Sequence, residues 1–299
     1  WVITQHSWRT AFAVLGVIGL LWALAWSLIG KDGPVGTSAQ ASGTEASRLS
    51  GYKVPLPKLM LTGTFLGALA ATAAAYVSLA ILLAYLPAYL KGPLDYSDRD
   101  ASLLFVLPWL MAAILVMGQG VLTRRLMERG VSTRLARGAM GGFGLVISAA
   151  FTLLFAHSTS GVAQIICMSF AFSVSGLIFA TSSTVCGELT PPSQRGAVLG
   201  TYVAIASLAG VVAPVVTGRL IDAATHEAEG YVAAFTLMAV VMIIGGLIAL
   251  IFIRPERDAE ILRPFAIPVG HVAETTSGGE PTGTVPTDVD PTGGPVPSV

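Results

Sequence analysis

Charge is what this chain of 299 residues has least of, and it is missing where chemistry inside a membrane would need it. Only 11% of the residues are Asp, Glu, Lys or Arg, against about 25% in a soluble domain. Seven long apolar stretches hold none of these in their interior, and the four histidines, His6, His157, His226 and His271, all fall outside them. Metal or haem ligation within the stretches therefore lacks its usual donors. A serine protease there would lack its base, and a retinal protein would lack the lysine of its last helix. The sequence predicts no enzyme, no metal and no cofactor. The 17 basic and 17 acidic residues cancel, so no global field points to nucleic acid. Cysteine is scarce too. Cys167 and Cys186 fall near opposite ends of one predicted helix, roughly 28 Å apart at helical rise, too far to join as a disulfide.

Apolar length is what the chain has instead. The uncharged stretches are Thr10–Ile29, Leu59–Leu90, Ala101–Thr123, Gly138–Ala156, Val162–Gly187, Gly196–Gly218 and Tyr231–Ile253. A hydrocarbon core of about 30 Å needs roughly 20 helical residues, and most of these stretches have 19 to 26. They do not alternate as barrel strands do. The fold class is thus all-α, an integral membrane protein with seven transmembrane helices. Leu59–Leu90 is longer, with Pro87 near its end, and is expected to kink there or to lie partly in the interface.

The segment TRRLMERGVSTRLARG (Thr123–Gly138) sets the hand. It carries Arg124, Arg125, Arg129, Arg134 and Arg137 against one acid, Glu128, between two apolar runs. A short basic loop of this kind stays on the cytoplasmic side. With it inside, the inner face collects 13 Lys and Arg residues and the outer face four, Arg9, Lys91, Arg99 and Arg219. The N-terminus of the chain is then outside and its C-terminus cytoplasmic. Residues 1–29 make a leading helix. Residues 30–57, rich in Gly, Ser, Thr and Ala, read as a cytoplasmic linker. Residues 58–258 form a six-helix group, and 259–299, rich in proline, read as a disordered cytoplasmic tail.

Within the spans, the polar groups are hydroxyls, one amide face and aromatics. Gln164, Ser175 and Ser182 fall on one narrow helical face and are candidates for a polar cavity, because polar groups facing lipid are costly. Ser78, Tyr85 and Tyr89 align next to Pro87. Tyr89 suits an interfacial anchor, whereas Tyr85, one turn deeper, suits a ligand contact. Trp109, after Pro108, could face the same cavity or pack. Small residues at helical spacing, such as Gly200, Ala204, Ser207, Pro214 and Gly218, read as close helix packing.

Two loop motifs narrow the class. GELTPPSQRGAVLG (Gly187–Gly200) presents Glu188, Pro191, Arg195, Gly196 and Gly200 as E-x-x-P-x-x-x-R-G-x-x-x-G. GVLTRRLMERG (Gly120–Gly130) carries Arg124 and Arg125 after Gly120. HSWRTAF precedes the first span, and AYLPAYLKGPLDYS (Ala84–Ser97) closes the second. In these the chain resembles the major facilitator superfamily of transporters, over about residues 1–258, and more particularly its anion:cation symporter branch. It departs from the Gly-x-x-x-Asp-Arg motif at Arg124, which occupies the Asp position.

That resemblance implies helices 6 to 12 of a twelve-helix carrier: the C-terminal six-helix half plus the preceding helix. The chain, beginning at Trp1, is then expected to be an N-terminally truncated fragment lacking helices 1–5. Two halves would rock about a midplane site, at the bacterial inner membrane, moving a small organic solute such as a carboxylate or sugar-acid anion by secondary active transport. The partners implied are that solute, a coupling proton or cation, the lipid bilayer and the missing half. Tyr85, Ser78, Trp109, Gln164, Ser175 and Ser182 are placed at the substrate wall. Arg124, Arg125 and Arg129, with Glu188 and Arg195, are placed at an inner gate. Two alternatives stay open on residues alone: a seven-helix receptor with its N-terminus outside, and a truncated product without function.

A coupled carrier needs a titrating or anion-reading group in the membrane, and these seven spans have none. The absent helices 1–5 are therefore predicted to carry at least one buried Asp, Glu, Arg or Lys. Reading the coding frame upstream of Trp1 checks this; five further spans free of all four residues would contradict it and favour facilitated diffusion.

Overall fold

The computed structural model describes residues 7–30, 52–158 and 161–268. Seven of its helical stretches are long and apolar enough to cross a membrane. Helix α1 (Trp8–Ile29) starts where Ser7 Oγ accepts the Thr10 N–H. Its apolar side chains, among them Leu20, Trp22 and Leu28, are exposed, the mark of a helix whose solvent is lipid. After residue 51 come β1 (Tyr52–Lys53), the short α2 (Leu56–Met60) and α3 (Gly63–Ala84). Then follow α4 (Leu86–Lys91), α5 (Asp98–Glu128) and, after a π-helical turn at Arg134–Ala139, α6 (Met140–His157). The fifth span is divided into α7 (Val162–Ser175) and α8 (Leu177–Leu189). It is followed by α9 (Arg195–Asp222), α10 (Glu227–Phe252), α11 (Pro255–Leu262) and β2 (Ile267–Pro268).

Several boundaries differ from the sequence reading, each for a local reason. Leu59–Leu90 is three helices. The second break falls at Tyr85, just before Pro87, whose ring and missing N–H end the regular ladder. Val162–Gly187 is interrupted at Gly176, where the winding tightens while the backbone stays right-handed. Arg124 and Arg125 lie within α5, Arg125 in its last turn, and Arg129 is its C-cap. The chain then reverses at Gly130, whose φ of +79° only glycine adopts without strain. Residues 52–57, expected in the linker, begin the ordered six-helix body; the rest of the linker, 31–51, lies outside the described residues. Residues 259–268, expected in a disordered tail, continue through α11 into β2 because Ala259 and Leu262 are buried. Residues 269–299 lie outside the description.

Helices α6 and α10 form the closest pair. A Cβ on Gly142 would meet Gly246 O at 2.9 Å, and one on Gly246 would meet Gly142 O at 2.8 Å, so each glycine admits the other's backbone. At the end of the bundle away from Thr123–Gly138, Tyr89, Phe155, Tyr231 and Phe235 form an aromatic cluster with centroids 4.9 to 6.1 Å apart. Tyr89 is buried there at 4% exposure and is not an interfacial anchor. Helices α5 and α9 flank the bundle. The buried face of α9 is Val198, Tyr202, Ala206, Ala213 and Thr217. Of the stripe read as close packing, Gly200 and Ala204 are exposed, while Pro214 and Gly218 both meet the Tyr85 hydroxyl.

Gly246→Ala is expected to destabilise the fold by about 1–3 kcal/mol through overpacking, read as a lower melting temperature in detergent. Gly118→Ala, with no atom within 4 Å of its new Cβ, is expected not to lower it.

Candidate functional site

The interruption of the fifth span is where the bundle gathers its polar groups. Gly176 and Phe179 donate their N–H groups three residues back, to Ser173 O and Gly176 O at 3.2 Å each, a winding tighter than an α-helix. Side chains serve the carbonyls around it. Ser175 Oγ donates to Phe172 O at 2.9 Å. Ser173 Oγ donates to Pro108 O of α5 at 2.9 Å, next to the proline of that helix. Thr181 Oγ1 and Gln119 Nε2 both donate to Leu177 O, at 3.0 and 3.3 Å. From α3, Ser78 Oγ lies 3.1 Å from Ser175 Oγ. Three helices thus converge on one break, held by hydroxyls and an amide in place of regular backbone bonds.

Beside the break is a cavity of about 260 Å³. Ala75 and Leu79 of α3, Pro108 and Trp109 of α5, and Ser175 and Phe179 line it, along with their neighbours. Its walls are mainly apolar and aromatic, with the Ser175 hydroxyl among them. Such a surface stacks on a flat or ring-shaped solute and offers it a hydrogen bond. Trp109 lines the cavity at 43% exposure.

Of the six residues placed at one substrate wall, Ser78, Ser175 and Trp109 come together here. The other three do not join them. Tyr85 donates its hydroxyl to Pro214 O of α9 at 2.7 Å and stacks edgewise on Tyr231 at 6.4 Å, tying α3 to α9 and α10. Gln164 sits in the first turn of α7, donating to Ser158 O at 3.1 Å, about 16 Å along the helix from Ser175. A shared helical face gave no information about depth. Ser182 lies inward of the break, fully buried, its hydroxyl without a hydrogen-bond partner. On the facing helices Thr72 Oγ1 bonds to the buried Tyr202 hydroxyl.

Toward the C-terminal ends of α5 and α8 lies a larger cavity of about 620 Å³. It is lined by Gln119, Thr123, Arg124, Glu128, Arg137 and Thr181, among others. Arg124 Nε donates to Glu128 at 2.8 Å within α5. Arg137 binds Glu188, both half-buried, joining the start of the fourth span to the end of α8. Glu188 is therefore paired with Arg137 and not with Arg195, whose Cδ a Cβ on Gly187 would meet at 3.8 Å and whose Nε is buried without a partner. Arg125 and Arg129 are exposed at the end of α5. Sequence reasoning missed Gln119, Arg137 and Tyr202. Gln119, an amide in an otherwise apolar run, was the visible signal. Arg137 was hidden among five arginines of which only the fold selects one.

The family model of the Major Facilitator Superfamily matches residues 1–174 and 130–274. The chain is 26% identical over 259 residues to the hexuronate transporter of Bacillus subtilis, an alignment covering 85% of the chain and 60% of that protein. It is 27% identical over 273 residues to the probable sulfoacetate transporter SauU of Cupriavidus necator, covering 85% and 59%. It is 26% identical over 259 residues to the mouse voltage-gated purine nucleotide uniporter SLC17A9, covering 86% and 56%. The chain thus spans somewhat over half the length of these relatives. On the strength of the family match and of the apolar helical bundle, the chain belongs to the Major Facilitator Superfamily of membrane transport proteins.

Proposed function

We propose that this chain forms part of a carrier that moves a small organic anion across a membrane by alternating access, with further helices completing the transporting unit. The observation that carries the reading is the interrupted helix at Gly176, with Ser175, Ser78 and Trp109 gathered beside a cavity in the middle of the bundle. Discontinuous helices near the midplane are how carriers present polar groups to a solute without lining a permanent pore. The relatives' names add the solute class: a hexuronate, a sulfoacetate and a purine nucleotide are all organic anions. Exposure of large apolar side chains on α5 and α9, such as Leu110, Met117, Leu208 and Val211, supports a further partner for this face. So does the chain's share of its relatives' length. The wall described here supplies stacking and hydroxyl contacts; the charge that reads the anion, and any coupling ion, is assigned to the completing helices.

The reading is tested by uptake of a radiolabelled hexuronate into vesicles holding the complete carrier. Ser175→Ala and Trp109→Ala are expected to raise KM by about five- to tenfold, the loss of one hydrogen bond or one stacking face. Thr236→Ala, whose hydroxyl bonds within α10, serves as the control and is expected to leave KM unchanged. Absence of uptake for every organic anion tried, with ligand-dependent partner binding instead, would replace transport by a receptor function.

The orientation belongs to the same proposal: Thr123–Gly138 faces the cytoplasm. A single cysteine introduced at Leu135, exposed in this segment, is expected to react with a membrane-impermeant maleimide in inside-out vesicles and not in intact cells. The reverse result would invert the topology.

A further inference from the structure

At the inner end of the bundle, three segments far apart in sequence are stitched together by side chains that the transport site does not use. The first stitch is Asp258 of α11, a carboxylate with only 1% exposure. Its Oδ2 accepts the Thr64 N–H in the first turn of α3 at 2.6 Å. Its Oδ1 receives the Arg257 guanidinium at 2.9 and 3.0 Å. Thr64 answers in kind: its Oγ1 accepts the Arg254 N–H at 3.0 Å, at the end of α10. A buried carboxylate is costly unless its lone pairs are satisfied. A helix N-terminus, with free N–H groups and positive partial charge, satisfies it well.

The second stitch is Gln194, in the loop between α8 and α9. Its Oε1 accepts the Val54 N–H at 2.9 Å and its Nε2 donates to Val54 O at 2.8 Å, as a neighbouring strand would. Tyr52 and Lys53 pair antiparallel with Pro268 and Ile267. Between the stitches the contacts are apolar and continuous. Val54, Leu59 and Leu262, each at 1% exposure, belong to one buried cluster, and Lys58 Nζ stands 4.9 Å from the centre of the Phe265 ring.

We propose that Asp258 and Gln194 form a cytoplasmic clasp that makes the inner end of α3 move as one body with the α8–α9 loop and the segment after α10. Asp258 is a positioning residue: it holds the base of the helix that carries Ser78, about 21 Å further along. This consequence for turnover rests on the transport reading; the clasp itself does not. Because α3 and α11 share the buried cluster with Val54, loss of the Asp258 stitch releases the Val54 stitch as well, as a cooperative unit does.

Hydrogen exchange on the purified protein in detergent tests the clasp directly. Asp258→Ala is expected to speed exchange about tenfold, the loss of one charge-assisted bond, both at Thr64 and at the distant Tyr52–Val54 amides. Asp258→Asn keeps a carbonyl oxygen for the Thr64 N–H and is expected to restore protection at both places. Gln194→Ala is expected to release Val54 and to pass part of that release on to Thr64. Faster exchange confined to the mutated stitch would overturn the proposal, as would no change at Thr64 in Asp258→Ala. In vesicles of the complete carrier, Asp258→Ala is expected to lower turnover about threefold or more with KM unchanged, and Asp258→Asn to recover it. Unchanged turnover with a loosened clasp would overturn the positioning role alone. A wild-type protein that transports nothing would remove the transport reading, while the exchange results still decide the clasp.

Discussion

Everything in this bundle answers to one constraint: in hydrocarbon, no backbone or hydroxyl group finds water to bond to. A continuous helix meets that demand by itself, so most of the chain is continuous helix. Where the ladder tightens, at Gly176, the added bonds come from side chains. They come from Ser173, Ser175, Thr181 and Gln119, reaching across three helices. The break therefore lies inside the bundle, where hydroxyls surround it, and not on a lipid face. A site that must be polar enough to bind a solute and dry enough to stay in the membrane has little other choice of location.

The same constraint divides the helices by role. Helices α6 and α10, apposed through Gly142 and Gly246, make a close backbone contact. Buried hydroxyls sit on α3, α7 and α8, and on α6 at Ser148 and Thr152. Helices α5 and α9 keep one buried face each and present apolar side chains outward. Among the described residues charge is confined to the ends of the bundle, where it works in pairs: Lys91 with Asp98 at 2.6 Å at one end, Arg137 with Glu188 at the other. The exposed pairs contribute little to stability; the half-buried Arg137–Glu188 pair joins two spans beside the larger cavity.

The seven spans and their approximate ends were legible in the sequence because hydropathy over about 20 residues is a strong, local signal. The family was legible from two ordered loop motifs. The site was legible only in part. Helical periodicity placed Gln164, Ser175 and Ser182 on one face, but it says nothing about depth, and depth separates Gln164 from the break. It also assumes an unbroken helix, which Gly176 is not. Ser78 met Ser175 because α3 and α7 pack together, a fact of tertiary structure with no trace in either stretch alone. The Asp258 and Gln194 stitches were illegible for the same reason: their partners lie across the chain in Thr64 and Val54.

The most direct test of the central claim is accessibility at the break itself, in the complete carrier with Cys167 and Cys186 replaced by alanine. A Ser175→Cys protein in sealed vesicles would be exposed to a membrane-impermeant thiol reagent from one side, then from the other. The account predicts labelling from both sides and protection by a bound organic anion, as a midplane site in an alternating-access carrier requires. A thiol that reacts from neither side, or from one side only under all conditions, would contradict it.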